Sequence, residues 1–372
     1  MGLSLPHHSG VCQRVSPNES YRTEIQCKLD AYTVSIRQRR LKGAIMKAIV
    51  QDRYGSSEAL ELVDIDKPTL DDDRMLIRVR ASSINPADYH LMTGKPYLTR
   101  LVMGFTKPKA RILGADFAGI VDSVGKDITK FKVGDEVFGQ GTGSYSEFAV
   151  AGEKSVALKP EGVTFEQAAS LPIAGVTAVL GVRHKGNVTA GQTVLVNGAS
   201  GGVGHFAVQI AKALGAEVTG VCSAKNMDMV GSIGADHVID YGAEDFTASD
   251  KRYDMILDMA GGHTILEFRA ALNPDGIYVQ GGDEEMGNWV GPITGMLKVA
   301  VASKTGKQTM INILARTRSE DLKYLADLIV SDDLRPVIGR TIGLAEVPAA
   351  LDAQAKGYGG TGRSHGKTVV VI

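Results

Sequence analysis

The stretch from Gly191 to Asn226 limits the possible folds more than any other part of the sequence. Residues 193–197 are apolar and largely β-branched, as in a short buried strand. Residues 198–204 form a glycine-rich turn, helical periodicity begins at Val203, and residues 217–221 predict a second strand. A strand, glycine turn, helix and strand within about 30 residues form a βαβ unit whose helix N-terminus binds anions. This context favours a dinucleotide site over a tight structural crossover.

The turn supplies the first candidate binding residues. One face of the predicted helix is apolar and comprises Val203, Phe206, Ala207, Ile210, Ala211 and Leu214. The residues that we expect to contact a dinucleotide are Gly198, Ala199, Ser200, Gly201, Gly202, Val203 and Gly204.

Composition excludes several classes of protein. The formal net charge of −1 gives no global electrostatic attraction for nucleic acid or an anionic membrane. The three cysteines are Cys12, Cys27 and Cys222, which excludes a disulfide framework or a cysteine-rich metal site in the main body. No apolar run reaches the roughly 18 residues that would suggest a membrane span. A reducing, cytoplasmic setting fits best.

The order of predicted elements divides the chain. Residues 1–45 are basic and aperiodic, and we interpret them as a disordered leader or an upstream start, in preference to a transit peptide. Residues 46–170 read as a compact β-rich domain, and residues 171–312 as alternating strands and helices. That alternation predicts an α/β fold with a doubly wound parallel sheet, whose ligand crevice lies at the carboxyl ends of the strands. Residues 313–372 add two helices and a closing strand.

The same motifs resemble the medium-chain dehydrogenase/reductase superfamily, specifically its zinc-independent quinone oxidoreductase (zeta-crystallin-like) branch. The most specific part of the resemblance is Gly191–Gln192, Leu195, Ala199–Ser200, Gly201–Gly202, Gly204, Gln209 and Lys212, all at the spacing of the branch signature. The resemblance implies a GroES-like catalytic domain over 46–170 and a Rossmann domain that binds NAD(P) over 171–312. It also implies a C-terminal return to the first domain over 313–372, and a homodimer is common in the branch.

The resemblance also bears on metal. Zinc-dependent relatives carry a cysteine where this chain has Asn85, a His-Glu pair where it has Ala115–Asp116, and another ligand near Ile173. One carboxylate does not hold a catalytic zinc, so we expect no metal. Without a Lewis acid, quinones and α,β-unsaturated carbonyl compounds are easier hydride acceptors than simple ketones, because their conjugation delocalises the developing charge.

The catalytic candidates lie between Asn85 and His90. Asn85 matches an active-site asparagine of related quinone reductases and could donate its amide to a substrate carbonyl, although it could equally cap the turn before Pro86. His90 occupies a position that carries a tyrosine or a relay histidine in relatives, and its reference pKa of about 6.5 suits a proton donor. Tyr89 is a competing donor, and solvent or a ribose hydroxyl is a third possibility.

Other residues are expected around the cofactor. Thr177 matches a family position beside the nicotinamide, with a helix-capping role as its alternative, and Gly281 and Gly282 would let the ring approach the backbone. The second strand of the βαβ unit is followed by Ser223 and Lys225, without the acid that binds a ribose 2′-hydroxyl in NAD-preferring sites. Ser223 and Lys225 can instead bind a 2′-phosphate, unless Lys225 is a solvated surface lysine.

Tyr241 matches a tyrosine that reductases of this branch use at the same phosphate, and these residues together favour NADP(H). The leading hypothesis is an NADPH-dependent, zinc-independent reductase of quinones or activated alkenes that acts on a small-molecule substrate. The alternatives are a general NAD(P)-dependent alcohol/carbonyl oxidoreductase and a non-catalytic structural or redox-sensing protein that binds NADPH.

Overall fold

The computed structural model describes residues 45–281, 299–304, 306–357 and 365–372, without the side chains of residues 355–357. The predictions for residues 1–44 and for Gly282 therefore lie outside the described residues.

Fifteen strands occur in the described part of the chain. They are β1 (Ile45–Gln51), β2 (Leu60–Asp66), β3 (Met75–Ser83), β4 (Asp116–Val124), β5 (Glu136–Gln140), β6 (Phe148–Ala151), β7 (Val156–Leu158), β8 (Thr193–Asn197), β9 (Glu217–Cys222), β10 (His237–Asp240), β11 (Tyr253–Asp258), β12 (Leu272–Gln280), β13 (Thr309–Asn312), β14 (Ile338–Gly343) and β15 (Lys367–Val371).

The α-helices lie mainly between the later strands. They are α1 (Pro86–Thr93), α2 (Arg100–Met103), α3 (Phe165–Ala169), α4 (Pro172–Ala178), α5 (Gly204–Ala213), α6 (Met227–Ser232), α7 (Ile265–Ala270), α8 (Ser319–Val330) and α9 (Val347–Gly357). Helix α4 continues as a π-helix over Val179–Lys185. No helix among the described residues is both long and apolar enough to cross a bilayer.

Six parallel strands form one sheet in the order β10-β9-β8-β11-β12-β13. The order reverses between β8 and β11, which are paired along Val194–Asn197 and Met255–Asp258. This arrangement confirms the predicted doubly wound α/β fold, in which the ligand crevice lies beyond the carboxyl ends of the strands at the reversal point.

The second large sheet is mixed, with the order β14-β15-β3-β4-β5-β7 and with β6 paired to β3. The C-terminal strand β15 runs antiparallel to β3, with Val369 opposite Ser83. Its partner β14 spans Ile338–Gly343 and runs parallel to it. The chain end thereby returns to a sheet whose other strands lie mostly within residues 75–158, while the predicted domain limits at residues 170 and 312 stay predictions.

Helix α5 differs from the one-sided amphipathic helix that its sequence predicts. Of the predicted apolar face, Phe206, Ala207, Ile210 and Ala211 are fully buried and Val203 and Leu214 are half-buried, but His205 and Gln209 are buried as well. The helix is covered because it packs on β8 and β9 on one side and on α4 with its π-helical continuation on the other. The Gln209 side chain satisfies its polar atoms through Arg335, donating to its carbonyl at 3.1 Å and accepting from its N–H at 2.7 Å.

Candidate functional site

The sequence-predicted cofactor residues follow the carboxyl ends of four strands of the parallel sheet. The glycine turn 198–204 follows β8, Ser223 and Lys225 follow β9, Tyr241 follows β10, and Gly281 follows β12. We call these residues, together with Asn226, the cofactor edge. Since neighbouring strands lie about 4.8 Å apart, this edge gathers residues from distant parts of the sequence along one side of the sheet.

Two glycines of the turn have conformational or steric requirements that no other residue meets without strain. Gly198 has φ of +87°, a region that L-residues rarely adopt. A Cβ on Gly204 would lie 2.1 Å from the Gly198 carbonyl oxygen and 2.9 Å from the Ala199 Cα. The backbone of the turn is therefore packed against the start of α5, which leaves backbone N–H groups at a helix N-terminus as the chemistry on offer to an anion.

Asn226 is not among the site residues predicted from the sequence, yet it orients the polar side chains of the cofactor edge. It is 8% exposed, and its amide nitrogen donates to Ser200 Oγ at 3.1 Å and to Ser223 Oγ at 3.2 Å. Because each hydroxyl accepts from Asn226, each keeps its own hydrogen available to donate to an acceptor outside the protein. Two hydroxyl donors from separate loops are thus oriented together, which fits a phosphate or ribose.

The remaining predicted residues of this edge differ in exposure. Lys225 is exposed, and Tyr241 retains 64% of its accessible surface while its backbone N–H donates to the Cys222 carbonyl at 3.1 Å. At Gly281, an added Cβ would lie 2.7 Å from the Sδ atom of Met259, the residue that follows β11. The Gly281 backbone therefore packs closely against that side chain. Thr177 lies in α4 and donates its hydroxyl to the Ile173 carbonyl at 2.7 Å, so that hydroxyl hydrogen is used within its own helix.

A second group of polar residues is buried where α1, β4 and β15 meet. We call it the polar cluster, and its members are Ser83, Asn85, Asp88, Asp116, Tyr145 and Lys367, each at most 3% exposed. Asn85 precedes α1 and donates its amide nitrogen to Asp116 Oδ2 at 2.8 Å and to the Ser83 carbonyl at 3.2 Å. Its amide oxygen accepts from Lys367 Nζ at 2.6 Å. A substrate carbonyl would have to displace one of these partners to receive an Asn85 N–H.

Two carboxyl groups in the polar cluster are affected by burial. Burial raises the pKa of Asp88 to about 7, although the Tyr145 hydroxyl donates to its Oδ2 at 2.7 Å and the Asn85 N–H donates at 2.9 Å. Its other oxygen, Oδ1, has no hydrogen-bond partner among the residues that the structure describes. Burial also raises the pKa of Asp116, while the Lys367 charge and hydrogen bonds from Asn85 and Ser83 oppose that shift.

His90 and Tyr89 are adjacent in α1, but their side chains contact different parts of the protein. His90 Nδ1 is 2.9 Å from the Lys95 carbonyl, and because a carbonyl only accepts, Nδ1 carries the hydrogen and Nε2 holds the lone pair when the ring is neutral. Burial lowers the pKa of His90. Tyr89 lines an open pocket of about 560 Å³ together with Tyr54, Tyr97 and other residues.

The residues at the positions where zinc-dependent relatives carry metal ligands do come together, but they do not fit a metal. Asp116 uses Oδ1 to accept from the Ile173 N–H at 3.1 Å and Oδ2 to accept from Asn85 and Ser83. The Lys367 ammonium lies 4.0 Å from Asp116 Oδ2 and would repel a cation there. Across the described residues, no three His, Cys, Asp or Glu side chains are grouped as a metal site.

Lys367 and Tyr145 are also absent from the site residues predicted from the sequence. Lys367 had one signal, since it is the charged first residue of an otherwise apolar closing strand, K-T-V-V-V-I. From the sequence alone, such a residue is interpreted as a solvated strand end. Its burial becomes apparent only when the register of β15 on β3 is known. Tyr145 gave no signal that separates it from a core tyrosine.

Comparisons with known proteins identify related families and similar folds. An alcohol dehydrogenase GroES-like domain model matches residues 71–223, and a zinc-binding dehydrogenase model matches residues 233–370. The chain is 32% identical over 348 residues to the chloroplast envelope quinone oxidoreductase homolog of Arabidopsis thaliana, with 89% of this chain and 99% of that protein covered.

It is also 34% identical over 368 residues to the mitochondrial NAD(P)H oxidoreductase RTN4IP1 of Bos taurus, which covers 89% of this chain and 90% of the relative. Among solved structures, the quinone oxidoreductase from Coxiella burnetii is similar, with a TM-score of 0.77 and 31% identity. That likeness covers 88% of this chain and 100% of the other.

Proposed function

The chain belongs to the medium-chain dehydrogenase/reductase superfamily, in its quinone oxidoreductase branch, and from this premise we propose that it is an NADPH-dependent, zinc-independent reductase of quinones or α,β-unsaturated carbonyl compounds. At the coarser level the chain is an NAD(P)H oxidoreductase that uses a nicotinamide cofactor. What we add is the choice of NADPH, the acceptor class, the residues that act and the independence from zinc.

The preference for NADPH rests on the cofactor edge. Asn226 leaves the hydrogens of Ser200 and Ser223 free to donate, and Lys225, two residues after Ser223, adds an exposed positive charge. A 2′-phosphate needs donors and positive charge at the end of the second strand, whereas a carboxylate there would repel it. No acidic residue lies between Cys222 and Asn226. We propose that Tyr241 and the backbone of the glycine turn complete the binding of the cofactor.

The acceptor class follows from what the protein offers in place of a metal. When bound, the reduced nicotinamide supplies a hydride to an electron-poor carbon. The donor set at Asn85 and Asp116 does not fit zinc, so the polarisation of a substrate oxygen falls to hydrogen-bond donors. Such donors suffice for a quinone or an enone, whose conjugation already spreads the charge.

The proton that completes the reduction comes from a residue near α1 or from water. A neutral His90 holds a lone pair on Nε2, so it donates only after it has taken up a proton from solvent. Tyr89 is the alternative donor, and Thr177 is proposed to lie beside the nicotinamide. The pH dependence of kcat in variants of His90 and Tyr89 distinguishes these two donors.

Two further proposals concern the setting of the enzyme. We propose a homodimer, as is common in the branch, and a cytoplasmic location, although some relatives are named for chloroplasts or mitochondria. Sedimentation of the purified chain and fractionation of the source cell test these two points.

The direct test of function is steady-state cofactor oxidation with a panel of quinones, enones and simple ketones, each with NADPH and NADH. We expect turnover with the first two classes of acceptor and little with simple ketones. Faster reduction of ketones than of quinones and enones would favour a general carbonyl oxidoreductase and contradict the proposal. Tight NADPH binding with no turnover on any acceptor would contradict it as well.

A further inference from the structure

Lys367 lies between the glycine turn and the candidate catalytic residues. Its side chain is 3% exposed, and Nζ donates to Asn85 Oδ1 at 2.6 Å and to the Ile84 carbonyl at 3.1 Å. Its aliphatic part borders the turn, since Cδ lies 3.3 Å from where a Cβ on Gly202 would be. The preceding Gly366 donates its backbone N–H to the Ser200 carbonyl at 2.9 Å. One residue thus connects the cofactor edge to Asn85.

The charges around Lys367 make its ammonium the central cation of the polar cluster. Asp116 Oδ2 is 4.0 Å from Nζ. Burial lowers the pKa of Lys367, and the charges of Asp116 and Asp88 oppose that shift by favouring the protonated lysine. An isolated buried ammonium is strongly disfavoured, so a lysine at this depth is retained only with such partners.

We propose that Lys367 is a positioning residue for turnover: its ammonium serves as the resident cation beside Asn85 and Asp116, the positions at which zinc-dependent relatives carry metal ligands, and it fixes the Asn85 amide relative to the glycine turn. The inference rests on the proposed reductase function. It goes beyond that function by assigning a cation and an orienting role to a residue of the C-terminal strand.

The orientation of Asn85 is the physical consequence. Because Lys367 donates to the amide oxygen, the amide nitrogen must face Asp116 and Ser83, and a rotated amide would place N–H groups against the ammonium. Without Lys367 the amide nitrogen still donates to Asp116 and Ser83, but the amide oxygen loses the ammonium that holds it, so the Asn85 side chain is fixed from one side only. A misplaced group near the reacting atoms reduces turnover without a comparable change in cofactor binding.

The test compares Lys367→Met with Lys159→Met. Lys159 is a matched control because its side chain is only 7% exposed and donates to the Val163 carbonyl, away from the polar cluster. With NADPH and a soluble quinone, we expect Lys367→Met to lower kcat by about tenfold or more while the KM for NADPH changes by less than about twofold. Lys159→Met should keep the wild-type kcat.

A double variant separates positioning from stability. In Lys367→Met/Asp116→Asn the opposing charges are removed together, and the Asn85 amide can turn so that its oxygen accepts from the new amide. We expect the double variant to regain the Tm that Lys367→Met loses, with kcat still low. Recovery of kcat together with Tm would show a merely structural role and overturn the inference, and this arm applies even if the single variant does not fold.

Metal content gives an independent reading. We expect the purified wild type to contain far less than one zinc per chain and to keep its kcat after treatment with a chelator. About one zinc per chain would overturn the resident-cation assignment. If wild type and Lys159→Met both lack turnover with every acceptor, the reductase function itself fails, which is distinguishable from a failure confined to Lys367.

Discussion

The cofactor edge and the polar cluster are built in opposite ways. The cofactor edge is open, rests on backbone geometry, and leaves Lys225 and Tyr241 exposed. The polar cluster is closed, and side chains satisfy one another there, as Lys367, Asn85 and Asp116 do. The cofactor edge is therefore suited to bind and select a ligand by contacts that form on binding. The polar cluster holds its groups in place beforehand, at the cost of buried charge.

The largest effect is expected at the backbone of the cofactor edge. Gly204→Val would place a Cβ 2.1 Å from the Gly198 carbonyl oxygen, so the turn must shift. With about 3 kcal/mol of backbone strain, we expect cofactor affinity to fall about 100-fold or more, together with a lower Tm. Titration calorimetry with NADPH measures the affinity.

Gly231→Ala in α6 is the control for this change, because nothing lies within 4 Å of the added Cβ. It should bind NADPH like the wild type and be slightly more stable, since alanine is favoured over glycine in a helix. Unchanged affinity in Gly204→Val would remove the glycine turn from the binding site.

Burial of Asp88 in the polar cluster should make the free energy of unfolding depend on pH. The pKa of Asp88 is about 7 in the folded protein, above its ordinary value of 3.8, so the folded state holds a proton that the unfolded chain releases. Its contribution to stability is therefore present at low pH and is lost as pH rises to about 7, by about 1.4 kcal/mol per pH unit.

Asp88→Asn removes that titration but keeps an acceptor for Tyr145 and the Asn85 N–H. Urea unfolding at pH 5 and pH 8 should show the wild type losing a few kcal/mol relative to the variant as pH rises. A constant difference between the two proteins at both pH values would mean that Asp88 titrates normally.

A smaller effect is expected from the amide that orients the cofactor edge. Asn226→Ala frees the hydroxyls of Ser200 and Ser223 to rotate, and the loss of two orienting hydrogen bonds should raise the KM for NADPH by about tenfold. Asn273→Ala is a suitable control, because its amide donates to Asp254 at the opposite edge of the same sheet. Equal effects of the two variants would show that the Asn226 change acts through stability alone.

The smallest effect concerns His90. Burial lowers the pKa of His90 below 6.5, so its donating form gains population only as pH falls through and below that value. If His90 supplies the proton, kcat rises by a few-fold toward low pH in the wild type and is flat in His90→Gln. An unchanged kcat and pH profile in His90→Gln, together with a lower kcat in Tyr89→Phe, would assign the proton to Tyr89.

The two regions also differ in how far the sequence predicts them. The βαβ unit is local, so strand β8, the glycine turn and the start of α5 follow from about 30 contiguous residues. By contrast, Lys367 and Asn85 are 282 residues apart, and their contact depends on the register of β15 against β3. Burial of His205 on an otherwise well-predicted helix has the same origin, since it is set by α4 packing over α5 rather than by the helix's own period.

We propose that the open cofactor edge selects NADPH for a reductase of conjugated carbonyl compounds. The most direct test is kcat/KM for NADPH and for NADH with one soluble quinone, in the wild type and in Ser223→Ala/Lys225→Ala. We predict a wild-type preference for NADPH of about tenfold or more, lost in the double variant through a higher KM for NADPH with little change for NADH. Equal use of both cofactors by the wild type, or an unchanged NADPH KM in the double variant, would contradict the claim.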